Sequence, residues 1–286
     1  MDTRPIGFFD SGIGGLSILR ATRRLLPAES MIYLADNAHF PYGALPAEAL
    51  RSLAVRLTRF LLARDAKLIV VACNTVTVHA LAHLRAAFPE APFVGVVPVV
   101  KPLAERTRNR VIAVLVTPAT AESPYLARLI DEYASACKTV TIPCPGLADL
   151  VEAGRATNAE LDCVLEQSLA PARASGADML GLGCTHYPFL RARVQRLVGP
   201  DVRIIDSGGA VARRVRAVLA AGNALAGTAP PSYSLYSTGD PDALARAARR
   251  YIRLPATMVE RVTLPGGKPR VRTNHLQHLG AAGKGG

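Results

Sequence analysis

Two stretches of the chain share one pattern, an apolar run that ends in cysteine, followed by threonine and a helix-like segment. The first spans residues 68–75 and contains Cys73, and the second spans residues 178–186 and contains Cys184. Short continuous apolar runs of this kind are typical of strands buried in a parallel sheet. Each stretch therefore predicts a strand with a thiol at its carboxyl end, the edge at which open α/β sheets bind ligands.

The secondary structure predicted around these cysteines repeats along the chain. The cysteines are 184 − 73 = 111 residues apart. The first, second and fourth predicted strands begin at Ile6, Met31 and Phe93, and their counterparts begin at Val111, Thr139 and Val202. So regular a spacing indicates a duplicated α/β unit. We expect an α/β fold of two similar doubly wound domains that face each other across a central cleft, with both thiols beside one ligand.

The repeat also sets the expected domain bounds. Residues 1–97 and 208–264 are predicted to form the first domain, because the part after residue 207 is too short for a domain of its own and is expected to pack back. Residues 98–207 are predicted to form the second. The last stretch, residues 265–286, is rich in glycine and basic residues without periodicity and is predicted to be a disordered basic tail.

Three predicted elements depend on local patterns alone. Apolar residues predict a strand over residues 93–97, and helical spacing predicts helices around residues 189–197 and 241–252.

The charge of the chain does not indicate a nucleic-acid partner. The formal net charge is +12, and 34 − 5 = 29 of the basic residues are arginine. They are spread along predicted helices without a basic stripe or a nucleic-acid motif, so we interpret them as solvated helix faces. Apolar runs stop short of a bilayer span and the start lacks a secretory signal, so we expect a cytoplasmic protein with no membrane partner.

Cysteine and histidine spacing indicates neither a disulfide framework nor a metal site. The five cysteines lack a Cys-x-x-Cys pair, and free thiols are expected in a chain that looks intracellular. Cys144, which is followed by proline, is interpreted as structural. His79 and His83 have i, i+4 spacing but no glutamate between them and no third ligand nearby, so no metal is expected.

The segment Asp10-Ser11-Gly12-Ile13-Gly14-Gly15 follows the first predicted strand. It differs from a dinucleotide fingerprint because Ser17 occupies the third glycine position. We interpret it as a strand-to-helix turn whose backbone N–H groups hold an anion such as a carboxylate. The alternative is that Asp10 caps the following helix.

Two chemistries fit the cysteines. A thiol with His186 as its proton partner suits a cysteine hydrolase, which would use Cys184 and leave Cys73 without a role. Two thiols on opposite sides of a ligand suit another reaction, in which one removes a proton from carbon and the other returns one to the opposite face. That reaction inverts a stereocentre without a cofactor.

Six motifs together resemble glutamate racemase. They are the segments at residues 8–16, 33–36, 41–43 and 72–75, Cys144-Pro145 with Glu152, and the segment at residues 182–188. The resemblance implies cofactor-independent interconversion of L- and D-glutamate, which supplies D-glutamate for peptidoglycan, with glutamate as the small-molecule substrate and no metal.

The resemblance also assigns roles to residues. It places Cys73 and Cys184 on opposite faces of Cα, with Asp10 assisting Cys73 and His186 assisting Cys184. Asp36 and Glu152 are implied as further acid/base or orienting groups. The implied substrate-binding residues are Asp10, Ser11, Pro41, Tyr42, Gly43, Asn74, Thr75, Thr117, Thr120, Thr185 and His186.

This chain departs from the family pattern at several positions. Ala35 and Asn37 flank Asp36 where glycine and threonine are usual, and His39 stands where arginine is common. Val99 replaces a glycine often found after the proline, and the loop 117–120 replaces one that contains more glycine.

Three other functions stay open at this point. One is a sister racemase that acts on aspartate, and another is the cysteine hydrolase. The third is a partner-binding role toward a nucleic-acid enzyme, since some members of the resembled family are reported to restrain DNA gyrase. A homodimer is compatible with the sequence but is not indicated by it.

Overall fold

The computed structural model describes residues 1–154, 159–227, 230–254 and 259–264. Within them, ten strands form two sheets in which every strand pair is parallel. The strands are β1 (Ile6–Asp10), β2 (Met31–Ala35), β3 (Leu68–Val71), β4 (Phe93–Gly95), β5 (Val111–Val116), β6 (Lys138–Pro143), β7 (Met179–Leu182), β8 (Arg203–Asp206), β9 (Tyr233–Ser237) and β10 (Val259–Arg261).

Helices connect these strands and cover the sheets. The α-helices are α1 (Leu16–Leu25), α2 (Ala47–Leu62), α3 (Asn74–Ala87), α4 (Val100–Ala104), α5 (Pro118–Ala121), α6 (Pro124–Ala134), α7 (Leu147–Glu152), α8 (Ala159–Ser175), α9 (Arg191–Val198), α10 (Gly208–Ala221) and α11 (Pro241–Ala247). Short 3₁₀ turns lie at Asn37–His39, Tyr42–Ala44 and Tyr187–Leu190, and a π-helical turn lies at Ala248–Ile252. No helix among the described residues has both the length and the apolar character needed to cross a membrane.

The two sheets repeat the same strand order. The first has the order β10-β9-β2-β1-β3-β4, and the second has the order β6-β5-β7-β8. The first four strands along the chain are therefore arranged as the next four are, which confirms the predicted duplicated α/β unit. In both sheets the order reverses between the first and third strands of the unit, and ligands bind at such a switch point.

Apolar sequence places the central strands in the interior. All residues of β1 and β3 are buried, because helices cover both faces of a parallel sheet. On α2, the leucines 50, 53, 57 and 61 keep helical spacing and form the buried face. One cluster of buried apolar side chains includes residues from both sheets, such as Phe8 and Leu180. The two α/β domains therefore share part of their core.

The C-terminal part of the chain returns to the first sheet. β9 pairs with β2, β10 pairs with β9, and α10 packs against α1. A buried ion pair anchors this return. The Lys67 ammonium lies 2.7 Å from Glu29 Oε2 and donates to the Ala224 carbonyl at 2.8 Å, while Glu29 Oε1 accepts from the backbone N–H of Ala226. The exact domain bounds stay a prediction, and the predicted tail at residues 265–286 lies outside the described residues.

Three predicted elements differ in detail from the structure. The strand expected at residues 93–97 ends at Gly95, since the backbone N–H of Val96 donates to Thr77 Oγ1 instead of to a neighbouring strand. The helix expected around residues 189–197 begins as a 3₁₀ turn with Pro188 near its start. The helix expected at residues 241–252 becomes π-helical after Ala247 and ends at Ile252, where Arg253 follows with a φ of +50°.

Candidate active site

The two cysteines occupy equivalent positions and line one cavity. Cys73 comes two residues after β3, and Cys184 comes two residues after β7. The cavity has a volume of about 560 Å³ and contains both thiols in its wall. The predicted site residues in its lining are Ser11, Pro41, Tyr42, Gly43, Cys73, Asn74, Thr75, Thr117, Thr120, Cys184, Thr185 and His186. Asp10, Asp36 and Glu152 lie behind this lining.

The cavity wall also contains residues that the sequence did not single out as site residues. They are Phe40, Ala44, Pro118, Ala119, Cys144, Pro145, Gly146, Ala148, Asp149 and Gly183. Five of them adjoin predicted residues in the same loops, so loop membership was the available signal for Phe40, Ala44, Pro118, Ala119 and Gly183. The third thiol in this wall, Cys144, donates to the Ile142 carbonyl at 3.5 Å, and burial raises its pKa to about 11.

Cys73 has a carboxyl group as its ionisable neighbour. The thiol is buried, and its Sγ lies 4.0 Å from Ser11 Oγ. Burial raises the pKa of Cys73 well above its usual value, and the negative charge of Asp10 raises it further. Both effects disfavour the thiolate, so Cys73 is held as the neutral thiol while Asp10 is charged.

The Asp10 carboxylate is held by the turn that follows β1. It accepts from the backbone N–H of Ser11 at 2.8 Å and of Gly15 at 2.5 Å. Asp10 is completely buried, and burial raises its pKa from 3.8 to about 6, although the positive charge of His186 and these hydrogen bonds act in the opposite direction. The N–H groups of Ser11 and Gly15 therefore bind the side chain of Asp10 itself, which agrees with the alternative that Asp10 caps this turn and not with a free anion site at these two groups.

Cys184 has an imidazole as its neighbour. His186 Nδ1 lies 3.7 Å from Cys184 Sγ, and His186 Nε2 lies 2.8 Å from Glu152 Oε2. Burial lowers the pKa of His186, but the hydrogen bonds to Cys184 and Glu152 outweigh this effect and raise it well above its usual value. A protonated ring is thus held between the thiol and a carboxylate.

Glu152 links the two domains. It lies at the end of α7 in the second domain, yet its Oε2 accepts from the backbone N–H of Ile13 at 2.9 Å. Its Oε1 accepts from Asn37 Nδ2 at 2.5 Å. Glycine in the turn permits this approach, because a Cβ at Gly12 would collide with the Glu152 carboxylate. Sequence reasoning assigned Glu152 an acid/base or orienting role but did not indicate its contact with the turn.

Asp36 contacts neither thiol. Its buried carboxylate accepts from the Tyr42 hydroxyl at 2.6 Å and from Thr238 Oγ1 at 2.6 Å, and it lies 2.9 Å from His39 Nδ1. The hydrogen bond with Asp36 raises the pKa of His39, although burial lowers it. Of the two roles that the sequence left open for Asp36, this geometry favours orientation, specifically of the cavity-lining Tyr42.

Several polar groups face the cavity and can bind a ligand. Asn74 is 6% exposed, and its Oδ1 has no hydrogen-bond partner among the described residues. A buried acceptor of this kind is costly unless a ligand donates to it. Across the cavity, the hydroxyls of Thr117 and Thr120 lie 3.0 Å apart. Among the described residues, no group of three or more histidine, cysteine or acidic side chains is arranged to hold a metal ion.

Comparison with known proteins places the chain in a family. The sequence profile of the Asp/Glu/hydantoin racemases matches residues 15–215, more than half of the chain. The chain belongs to the Asp/Glu/hydantoin racemase family. Within it, the glutamate racemase of Pseudomonas paraeruginosa is 47% identical over 231 residues, which cover 79% of this chain and 87% of that relative.

Solved glutamate racemases share the fold of this family member. The structure from Francisella tularensis, in complex with D-glutamate, has a TM-score of 0.81 at 28% identity and covers 93% of this chain and 99% of its own. The structure from Escherichia coli, in complex with L-glutamate and an activator, has a TM-score of 0.81 at 31% identity and covers 92% of this chain and 100% of its own.

Proposed function

We propose that this racemase interconverts L- and D-glutamate by proton transfer at Cα between Cys73 and Cys184, without a cofactor. The observation that carries the proposal is the presence of both thiols, from equivalent strands of the two domains, in the wall of one cavity. The choice of glutamate is supported by the relatives, since curated glutamate racemases match most of the chain and solved ones are bound to either enantiomer.

The reaction requires one thiolate and one thiol. The thiolate on one face takes the proton from Cα, and the electron pair of the C–H bond stays on carbon and is delocalised into the adjacent carboxylate. The thiol on the opposite face gives its proton to Cα. The configuration is inverted, and the two sulfurs have exchanged protonation states, so atoms and charge balance. Proton exchange with neighbouring groups restores the starting state.

The neighbouring ionisable groups serve the two sulfurs differently. A protonated His186 can donate to Cys184 and can also stabilise negative charge on that sulfur. Asp10, with a pKa of about 6, can take up the Cys73 proton and return it near neutral pH. Glu152 keeps the His186 ring oriented and charged, and Asp36 holds Tyr42 in the cavity wall.

The other cavity residues are proposed to bind glutamate. The unpaired Asn74 Oδ1 suits the substrate ammonium. Ser11, Tyr42, Thr75 and Thr185 line the cavity together with both thiols, and their hydroxyl groups suit a substrate carboxylate. Residues that line the remaining walls are assigned to the side chain of the substrate; they are Pro41, Gly43, Thr117 and Thr120.

The biological setting is part of the proposal. D-Glutamate for peptidoglycan is the expected product, with the enzyme acting in the cytoplasm. Assembly as a homodimer is a further hypothesis, which light scattering of the purified protein would test.

The direct test compares two substrates in D₂O. Purified protein is incubated separately with L-glutamate and L-aspartate, and circular dichroism and proton NMR follow loss of optical activity and deuterium incorporation at Cα. We expect both signals with glutamate. If only aspartate gives these signals, the substrate is aspartate and not glutamate. If neither amino acid gives either signal, the protein is not a racemase of these two amino acids.

A further inference from the structure

Asn37 connects the C-terminal strand of the first domain with the proton-transfer groups of the second. Its Oδ1 accepts from the Ser237 hydroxyl at 3.0 Å, and its Nδ2 donates to Glu152 Oε1 at 2.5 Å. Ser237 is completely buried at the end of β9, 200 residues away in sequence. Both ends of the Asn37 amide are therefore occupied.

These contacts fix which way the amide points. Its oxygen can only accept and its nitrogen can only donate, and a deprotonated carboxylate can only accept. With Ser237 donating to Oδ1, the nitrogen must face Glu152. The carboxylate then receives three partners, which are the amide of Asn37, the backbone N–H of Ile13 and the imidazole of His186.

The result is a continuous series of hydrogen bonds that ends at one thiol. It runs from the Ser237 hydroxyl through the Asn37 amide and the Glu152 carboxylate to the His186 ring, and from there to Cys184 Sγ. Ser237 and Asn37 flank the first sheet, whereas the last three residues belong to the second domain. None of the hydrogen bonds of the Asn37 side chain reaches Cys73.

We propose that Asn37 is a positioning residue for the Cys184 half of the reaction, which it controls through Glu152 and His186. It holds the carboxylate so that Oε2 meets His186 Nε2 and the other ring nitrogen meets the sulfur. Two residues on the far side of the cleft, Asn37 and Ser237, thereby set the orientation of a proton donor that neither touches. This inference rests on the proposed two-thiol racemisation.

Isotope effects separate such a role from general destabilisation. Both enantiomers of glutamate have the same free energy in water, so kcat/KM must be equal in the two directions for every variant. If proton transfer at Cys184 becomes slow, however, the isotope effect measured with 2-deuterated L-glutamate and the one measured with 2-deuterated D-glutamate change in opposite directions. The isotope effect on kcat/KM rises where Cys184 removes the deuterium, and it falls where Cys184 only delivers a solvent proton.

The test uses the full chain with Asn37→Ala and Ser237→Ala, and Ser234→Ala on the same strand as the matched control. Loss of a hydrogen bond to a charged group costs about a factor of 10 in rate. We expect kcat/KM to fall about 10-fold in Asn37→Ala and less in Ser237→Ala. Isotope effects measured with 2-deuterated L- and D-glutamate should diverge in both variants, and Ser234→Ala should match the wild type.

The experiment distinguishes failure of the role proposed for Asn37 from failure of the proposed racemisation. If the wild type does not racemise glutamate, the two-thiol proposal fails first. If the wild type is active and the Asn37→Ala variant loses activity with unchanged isotope effects in both directions, the residue is only structural and the inference is wrong. The inference is also wrong if the isotope effects of Ser234→Ala diverge as far as those of Ser237→Ala.

Discussion

The surroundings of Cys73 and Cys184 differ although their places in the fold are the same. Both follow the third strand of a unit, and the strand order of the two units is identical. Cys73 lies near Asp10, a carboxyl group whose charge disfavours a thiolate. Cys184 lies 3.7 Å from the imidazole of His186, which its hydrogen bonds to Cys184 and Glu152 hold in the charged form by raising its pKa. Equivalent backbones thus present the two sulfurs with neighbours of opposite charge.

Duplication of the fold has therefore not duplicated the ionisable groups around the two cysteines. The proposed reaction needs one thiol on each face of Cα, and the repeated strand order supplies one thiol from each domain. The proposed two-thiol reaction also needs one thiolate and one thiol, and the two sulfurs have different ionisable neighbours, Asp10 beside Cys73 and His186 beside Cys184. Four measurements test whether the two sulfurs differ in this way.

Removal of either thiol should have the largest effect. In the two-thiol mechanism, Cys73→Ser and Cys184→Ser each remove a proton-transfer group, so racemisation should fall by about 10³-fold or more. Polarimetric assays with L- and D-glutamate measure this loss. Cys163→Ser, which changes an exposed thiol, is the control and should retain activity. A Cys73→Ser variant that keeps most of its activity would favour a cysteine hydrolase instead.

Substitution of the acid/base partners, His186 and Asp10, should affect the two cysteines differently. His186→Asn and Asp10→Asn should each lower kcat by about 10²-fold, because each removes the acid/base partner of one sulfur. With 2-deuterated glutamate, the direction in which the isotope effect grows should be opposite in the two variants. The same direction in both would show that the two residues do not serve different thiols.

The raised pKa of Asp10 should make the fold less stable as pH increases. The group has a pKa of 3.8 when unfolded and of about 6 when folded, so the folded state binds more protons between these values. Its contribution is complete below pH 3.8 and is lost as pH rises through 6, by up to about 3 kcal/mol.

Urea unfolding at pH 4 and pH 6.5 measures this contribution. The free energy of unfolding of the wild type should fall relative to that of Asp10→Asn over this interval. His186 adds no slope there, because its raised pKa changes stability only above its unfolded value. Parallel pH profiles for the two proteins would contradict the raised pKa of Asp10.

The smallest effect is expected for substitution of Tyr42, whose hydroxyl donates to Asp36. Tyr42→Phe removes one of three partners of a buried carboxylate, so the free energy of unfolding should fall by about 1–2 kcal/mol. Because Asp36 contacts neither sulfur, the isotope effects should stay as in the wild type. Tyr33→Phe, which removes a hydrogen bond to the neutral Gly12 carbonyl, is the matched control and should cost less. Altered isotope effects in Tyr42→Phe would bring Asp36 into the proton transfer.

Periodic features of the chain could be predicted from sequence. Apolar runs and the spacing of 111 residues between the cysteines predicted the repeated unit and the sheet edge that carries both thiols. These features are local, or repeat locally, so a pattern carries them. The other predicted residues of the cavity wall came from the resemblance to glutamate racemase. The early end of the strand at Gly95 was missed because it depends on Thr77, a side chain from a neighbouring helix.

Contacts between distant segments could not be predicted in this way. The bond between Glu152 and the Ile13 N–H joins residues 139 apart, and Ser237 reaches Asn37 from 200 residues away. No residue pattern encodes such a pairing, because it arises only when the two sheets and the returning strand are packed together. Orientation of the proton-transfer groups is therefore the part of the site that required coordinates.

The turn after β1 contributes little to the wall of the cavity. Its backbone is occupied by the carboxylates of Asp10 and Glu152, and of the segment 10–15 only Ser11 reaches the cavity wall. The equivalent segment of the second unit, residues 117–120, lines the cavity along its whole length. The two equivalent turns thus differ in their access to the cavity, because carboxylates of the protein itself already occupy the backbone of the first turn.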